Sequence, residues 1–127
     1  MGEKRILAID DDLSSLNMIR AILSKAGYEV LTASSGIEGI GVAAGKHPQL
    51  IILDIMMPGM DGSETAEQLK ANQRTKDIPI IFLSALIREE EERMSKKEDT
   101  PSLIAKPIER EKLLNEVRRY FNSGEDL

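Results

Sequence analysis

Five short apolar runs alternate with segments of helical periodicity along this chain of 127 residues. The runs are too short for buried helices and end at turn-forming residues, which is typical of strands. They cover residues 5–9, 28–33, 50–53, 79–84 and 102–105. Strands that alternate with helices in this way indicate a parallel sheet with helices on both faces. The pattern therefore predicts one doubly wound α/β domain.

The segments between these runs have the spacing and end signals of amphipathic helices. In the first of them, Gly27 follows an apolar face and stands where helices commonly end. That face consists of Leu16, Ile19, Leu23 and Ala26. The last segment has a similar face, which consists of Leu113, Val117, Tyr120 and Phe121. Asp61 and Glu64 have the spacing of a capping box for a third helix. A further helix, with few apolar anchors, is predicted over residues 87–99.

Composition narrows the possible functions. The chain has no cysteine, which excludes disulfides and thiolate metal sites. Its net charge is −5, it shows no basic patch, and it has only two tyrosines and two phenylalanines, so we expect no direct contact with nucleic acid. The N-terminal apolar run is too short for a secretory signal, and no run approaches the length of a membrane span. We therefore expect a cytoplasmic protein without membrane contact.

Polar residues follow four of the five predicted strands. Parallel sheets of this class bind ligands beyond the carboxyl ends of their strands, so these residues should converge on one edge. They are Asp10, Asp11 and Asp12 after the first strand, Asp54 after the third, Ser84 after the fourth and Lys106 after the fifth. An ordinary surface cluster of acids would not explain why each of these strand ends carries a polar group that suits one shared site.

Carboxylates gathered in this way need compensating charge. Two unit charges about 4 Å apart repel by roughly 4 kcal/mol at the effective dielectric of a protein surface. A hard divalent cation such as Mg²⁺ prefers oxygen ligands and would compensate part of this repulsion. Lys106 would add a second positive centre, and Ser84 a hydroxyl donor. Such a set of groups suits the transfer of a phosphoryl group to a carboxylate.

Four motifs resemble those of the response-regulator receiver domain, in their order and at their separations: AIDDD, LDIMMPGMDG, FLSA and AKP. The resemblance covers residues 4–122, which is nearly the whole chain. It implies a flavodoxin-like, doubly wound sheet of five parallel strands in the order 2-1-3-4-5, with five helices. It also implies that residues 1–122 form the receiver domain and that residues 123–127 form a loose C-terminal tail.

The resemblance implies a phosphoacceptor of a two-component system, and not a turnover enzyme. Asp54 would take a phosphoryl group from a phosphohistidine on a sensor histidine kinase or a phosphotransfer protein, in a Mg²⁺-dependent reaction. Ser84 and Lys106 would bind the phosphoryl oxygens. The phosphorylated domain would then signal to a downstream protein target through direct contact.

The same resemblance implies the metal ligands and one feature of the backbone. Mg²⁺ would be held by Asp10, Asp11, Asp54 and the backbone carbonyl of Met56. The peptide between Lys106 and Pro107 would be cis. Asp12, the third acid of its run, is better suited to capping the first helix.

Two features depart from the family pattern. Leu103 stands three residues before the lysine, where receivers usually carry an aromatic residue that rotates inward on activation. The sequence KKEDTPS replaces the Gly-Ala turn that is common before the fifth strand. The resemblance therefore supports the chemistry of the site but does not extend to output through the usual aromatic switch.

The resemblance also concerns the lifetime of the phosphorylated state. In receivers, the residues two after the phosphoacceptor and two after the hydroxyl residue flank the path of the attacking water. These positions map onto Met56 and Leu86, both bulky and apolar. Since such side chains cannot orient a water molecule, the resemblance predicts slow hydrolysis.

Other motifs have structural interpretations. Gly36, Gly39 and Gly41 run in the reverse order of a dinucleotide fingerprint and follow the second strand, which favours close helix packing. His47, the single histidine, is interpreted as a surface turn residue. The run REEEERMSKKED has the spacing of a solvated helix face, with an acidic partner-binding surface as the alternative.

Two other classes of protein share part of this pattern. A haloacid-dehalogenase-type phosphatase would use Asp10 as its nucleophile, but the Thr or Val expected two residues after Asp12 is missing, and no acidic pair follows Lys106. A flavin-binding flavodoxin relative would need a Ser/Thr-rich phosphate loop after the first strand. The three aspartates found there would repel the phosphate. Both classes fit the sequence less well than a receiver.

Overall fold

The computed structural model describes residues 4–85 and 102–122. In these ranges the chain forms β1 (Arg5–Ile9), α1 (Leu13–Lys25), β2 (Glu29–Ala33), α2 (Gly36–Lys46), β3 (Leu50–Asp54), α3 (Gly62–Ala71), β4 (Ile80–Ser84), β5 (Ser102–Ala105) and α4 (Arg110–Asn122). All five predicted strands are present, and their bounds agree with the predicted runs to within one residue. Four of the five predicted helices are observed, while the helix predicted over residues 87–99 lies outside the described ranges.

The five strands form one parallel sheet in the order β2-β1-β3-β4-β5, as predicted. Asp54 at the end of β3 pairs with Leu83 of β4, and Ser84 at the end of β4 pairs with Ala105 of β5. The carboxyl ends of these strands are therefore level with one another. Among the described helices, none is long and apolar enough to span a membrane.

The core consists of two apolar layers, one on each face of the sheet. Side chains of α1 and α4 pack on one face against residues such as Ile6, Ile52 and Leu83. Side chains of α2 and α3 pack on the other face, which includes Leu7 and Leu53. Because both faces are covered, β3 is buried along its whole length, as its apolar sequence predicts. Burial of each large aliphatic side chain stabilises the fold by roughly 1.5–3 kcal/mol.

Helix α1 ends where the sequence predicts. Gly27 adopts φ +100°, and its N–H donates to the Ser24 carbonyl at 3.0 Å. The N–H of Tyr28 donates to the Leu23 carbonyl at 3.0 Å, which completes a Schellman motif. Ala26, predicted on the buried face, is instead exposed at the helix end. The prediction for Ala26 was wrong because the chain leaves the helix there, before its side chain reaches the core.

Side-chain caps begin α1 and α3, and Ser35 caps α2 in the same way. Asp12 accepts a hydrogen bond from the N–H of Ser14 at 3.0 Å and caps α1, as predicted. Asp61 accepts from the N–H of Glu64 at 2.8 Å and caps α3. This bond is one half of the predicted capping box. The first turn of α3 is thereby anchored directly after the loop that leaves β3.

The glycines of α2 have different surroundings. A Cβ atom on Gly36 would lie 2.2 Å from Thr65 Oγ1, and one on Gly39 would lie 2.4 Å from Ile9 Cδ1, so both pack closely as predicted. Gly41 is exposed and has nothing within 4 Å of such an atom. The prediction of close packing was wrong for Gly41, because this residue faces solvent on the outer side of the helix.

Two of the exposed glycines, Gly27 and Gly41, give stability predictions of opposite sign. Gly27→Ala should lower the free energy of unfolding by about 1–2 kcal/mol, because the new side chain must adopt a left-handed conformation. Gly41→Ala should raise it by about 0.5–1 kcal/mol, because alanine loses less backbone entropy in a helix interior. Urea unfolding followed by circular dichroism measures both changes. A stabilising Gly27→Ala substitution would contradict this account of the helix end.

Candidate functional site

The residues predicted to form a site lie together at the carboxyl edge of the sheet. Asp10 and Asp11 directly follow β1, Asp54 ends β3 and Ser84 ends β4. Lys106 follows β5, and its backbone N–H donates to the Ser84 carbonyl at 2.9 Å. The level ends of the parallel strands thus place acids, a hydroxyl and an ammonium side by side.

Three carboxylates converge at this edge. One oxygen from each of Asp10, Asp11 and Asp54 lies within 4.8 Å of the other two. Asp10 is 0% exposed and Asp54 is 3% exposed, whereas Asp11 is exposed. The cluster therefore has two acids in the protein interior and opens to solvent at the third.

Lys106 bridges the two buried acids. Its Nζ lies 2.8 Å from Asp10 Oδ2 and 3.5 Å from Asp54 Oδ2. The other oxygens of these acids accept from main-chain groups, Asp10 Oδ1 from the N–H of Asp12 at 2.9 Å and Asp54 Oδ1 from the N–H of Met56 at 3.3 Å. The loops that follow β1 and β3 thus orient the two carboxylates.

Burial and charge shift the proton affinities of the site. Burial, together with the negative charge of Asp10, raises the pKa of Asp54 from its ordinary 3.8 to about 6, although Lys106 opposes the shift. Burial alone would lower the pKa of Lys106, but the contacts with Asp10 and Asp54 outweigh it and raise the pKa above its ordinary value. Lys106 is therefore positively charged at neutral pH.

The residues present fit a hard cation. Among residues 4–85 and 102–122, Lys106 supplies the one ammonium group that contacts these carboxylates, so negative charge is in excess in this part of the chain. Asp10 Oδ2 is buried and lies 2.8 Å from the Lys106 ammonium group, which Asp54 also contacts. Buried charge is costly unless it is paired, so a cation beside these acids would be favourable. Oxygen ligands around excess negative charge are what Mg²⁺ prefers.

The structure also shows where several other residues from the sequence analysis lie. His47 ends α2 with φ 50° and is exposed, as expected for a surface turn residue. Leu103 is half-buried in β5 and pairs with Phe82. The peptide between Lys106 and Pro107 is cis, as the resemblance implies. Leu86 and the charged run after it lie outside the described ranges.

Comparisons with known proteins concern the family and fold of the chain. The response regulator receiver domain family matches residues 6–118. PilH of Pseudomonas aeruginosa is 31% identical over 113 residues, which cover 89% of this chain and 93% of PilH. The DNA-binding dual master transcriptional regulator RpaA of Synechocystis is 36% identical over 114 residues, which cover 90% of this chain. The same alignment covers 47% of RpaA, so the chain spans about half the length of that relative.

Solved structures show the same fold. The chemotaxis protein CheY4 of Vibrio cholerae has a TM-score of 0.81 and 31% identity, and the match covers 94% of this chain and 99% of CheY4. A CheY-like response regulator receiver domain protein of Methanospirillum hungatei has a TM-score of 0.81 and 27% identity, over 98% of both chains. These likenesses confirm the resemblance found in the sequence.

The raised pKa of Asp54 predicts a pH-dependent cost in stability. Because its pKa is about 6 in the folded protein and 3.8 ordinarily, the folded state binds this proton more tightly. The free energy of unfolding should therefore fall as pH rises from about 4 to about 6. In metal-free buffer, Asp54→Asn should be more stable than wild type by about 1–3 kcal/mol near pH 7, and the difference should vanish below about pH 4.

Urea unfolding at a series of pH values measures this difference. Asp61→Asn serves as the control, because this exposed acid caps α3 and asparagine caps a helix equally well. The control should gain no stability near neutral pH. A gap between Asp54→Asn and wild type that stays constant across the pH range would contradict the assignment.

Proposed function

The chain belongs to the response regulator receiver family, and we propose that it is a phosphoacceptor which takes a phosphoryl group on Asp54 in a two-component signalling system. The observation that carries this proposal is the position of Asp54 at the end of the central strand β3. There it is buried against Lys106 and clusters with Asp10 and Asp11. Receiver domains are signalling domains, so we expect phosphorylation to change protein contacts and not to drive turnover of a substrate.

We propose that Asp10, Asp11, Asp54 and the backbone carbonyl of Met56 hold Mg²⁺. When bound, the metal would offset negative charge on the carboxylates and on the incoming phosphoryl oxygens. The fit of three carboxylates supports this ligand set. The hydrogen bond from the Met56 N–H to Asp54 Oδ1 supports the part assigned to Met56, because the carbonyl group of this residue is only two bonds along the main chain from that nitrogen.

In the proposed reaction, an unprotonated Asp54 oxygen attacks the phosphorus of a phosphohistidine. The bond between phosphorus and the Asp54 oxygen forms while the phosphorus–nitrogen bond breaks, and its electron pair returns to the imidazole. Lys106, which is positively charged, would then pair with a phosphoryl oxygen. Ser84 would donate its hydroxyl to another, since it ends the strand next to Asp54. The product is an acyl phosphate.

The surface beside the site supports transfer from a protein donor. A cleft of about 370 Å³ reaches Lys106, with Met18 and Ile108 among its lining residues. Leu13 and Met18 on α1 are 66% and 46% exposed. Apolar side chains exposed beside a site offer surface that a protein partner would bury. We therefore propose that a sensor histidine kinase or phosphotransfer protein docks here, and that a further protein receives the signal.

The domain extent and location are also proposals. We propose that residues 1–122 form the receiver domain, and the predicted C-terminal tail, residues 123–127, lies outside the described ranges. Receivers take phosphate from kinases that act on the cytoplasmic side, so we propose a cytoplasmic location.

The proposed function predicts a single site of phosphorylation. Incubation with acetyl phosphate and Mg²⁺ should add one phosphoryl group, measured by intact-protein mass spectrometry. Asp54→Asn should abolish the addition, because an asparagine amide at the end of β3 cannot accept a phosphoryl group as the Asp54 carboxylate does. Asp61→Asn, which changes an exposed capping acid, should retain it. Label that persists in Asp54→Asn but disappears in Asp10→Asn would instead favour the phosphatase alternative.

The side chain of Met56 predicts a long-lived phosphorylated state. It is 56% exposed and follows the acceptor by two residues, so it can crowd a water that approaches Asp54 but cannot orient it. Met56→Asn should speed loss of the phosphoryl group about tenfold, because a gain of about 1.4 kcal/mol in transition-state stabilisation has that effect. Decay is followed after the donor is removed, with Met18→Asn as the control. Equal decay of Met56→Asn and wild type would refute this role.

A further inference from the structure

Gly62 packs against the main chain of the proposed phosphoacceptor. It is the first residue of α3 and is buried. A Cβ atom at this position would lie 2.4 Å from the Asp54 carbonyl oxygen and 2.5 Å from Ile55 Cα. These distances are far shorter than any contact that a real Cβ atom makes. Helix α3 can therefore begin here only because residue 62 has no side chain.

Hydrogen bonds hold this contact from both sides. The N–H of Gly62 donates to the Ile55 carbonyl at 2.9 Å, and the N–H of Ile55 donates to the Leu83 carbonyl of β4 at 3.0 Å. Ile55, the residue that follows Asp54, is thus hydrogen-bonded both to β4 and to the start of α3. The loop between Ile55 and Gly62, residues 56–61, contains Met56, whose N–H donates to Asp54 Oδ1.

We infer that Gly62 is a positioning residue for phosphorylation: its missing side chain lets α3 pack directly on the main chain of Asp54 and Ile55, and this contact fixes the Asp54 carboxylate and the Met56 peptide. The inference rests on the proposed function, in which Asp54 accepts the phosphoryl group. Gly62 itself does not contact the reacting atoms in this proposal.

A side chain at residue 62 must displace main-chain atoms. The contact with the Asp54 carbonyl oxygen would have to open from 2.4 Å to at least 3.0 Å. At Gly39 the nearest atoms to a Cβ atom all belong to the Ile9 side chain. The same added methyl group therefore meets the main chain of the acceptor in one case and a side chain in the other. A misplacement of about 1 Å in a reacting group can slow a reaction about 100-fold.

The test compares Gly62→Ala with two other glycine substitutions. Gly39→Ala adds a crowded methyl group away from the acceptor main chain, and Gly41→Ala adds one in open space. We expect Gly62→Ala to be phosphorylated by acetyl phosphate between 10-fold and 100-fold more slowly than wild type at saturating Mg²⁺. Its Mg²⁺ affinity, measured by titration of backbone amide NMR signals without any donor, should also fall. Both controls should stay within about twofold of wild type.

Stability measurements separate positioning from a general structural effect. Circular dichroism and urea unfolding are recorded for every variant, and Gly39→Ala shows how much rate is lost through destabilisation alone. If Gly62→Ala is too unstable to measure, the substitution is made in the Gly41→Ala protein, because Gly41→Ala stabilises α2. This double variant is then compared with the Gly41→Ala single variant. If this double variant also fails to fold, the inference is overturned, because Gly62 would then serve the fold as a whole.

The outcomes distinguish this inference from the proposed function. A folded Gly62→Ala protein with the rate and Mg²⁺ affinity of wild type would overturn the positioning role and leave the phosphoacceptor role intact. Absence of phosphorylation in wild type and both controls would overturn the proposed function. In that case the Mg²⁺ titration still decides whether Gly62 positions the Asp54 carboxylate and its loop.

Discussion

Repulsion among carboxylates is the constraint on which this domain depends. Asp10 and Asp54 are buried at the ends of neighbouring strands, and Asp11 adds a third acid where the cluster meets solvent. Lys106 contacts both buried acids and offsets part of their charge. Burial, together with the negative charge of Asp10, raises the pKa of Asp54, and the remaining excess of negative charge would favour a divalent cation. The same excess of negative charge thus makes the three carboxylates costly without a cation and would make the binding of a divalent cation favourable.

The strand order explains which strand ends take part in the site. Neighbouring strands lie about 4.8 Å apart, and β1, β3, β4 and β5 are consecutive in the sheet. The end of β2 lies beyond β1, two strands from Asp54 and four strands from β5. A side chain there would be roughly 10 Å from the acceptor across the sheet. The end of β5 lies equally far from β3, but the long side chain of Lys106 spans that distance, whereas Ser34 after β2 has a short side chain.

Features set by local sequence could be predicted, whereas features set by packing could not. The strand bounds, the Asp12 cap and the end of α1 at Gly27 follow from neighbouring residues. The strand ends also predicted which polar side chains would meet. The errors at Ala26 and Gly41 arose because helical spacing alone does not show which turn reaches the core. The contact of Gly62 with Asp54 was missed because it joins residues on two elements, although a glycine directly after a capping residue was a visible signal.

Two kinds of contact at the acceptor respond differently to charge. The bonds from Ile55 to Leu83 and from Gly62 to Ile55 join neutral main-chain groups, so they are unaffected when Asp54 gains or loses charge. The contact between Lys106 and Asp54 is ionic and must change whenever the carboxylate is protonated, bound to metal or phosphorylated. The main chain can therefore keep the acceptor in place while Lys106 moves. Lys106 directly follows β5, so such a movement would be passed on to this strand. Leu103 lies in β5 at the position where receivers usually carry an aromatic residue, so the movement would not need an aromatic side chain to reach it.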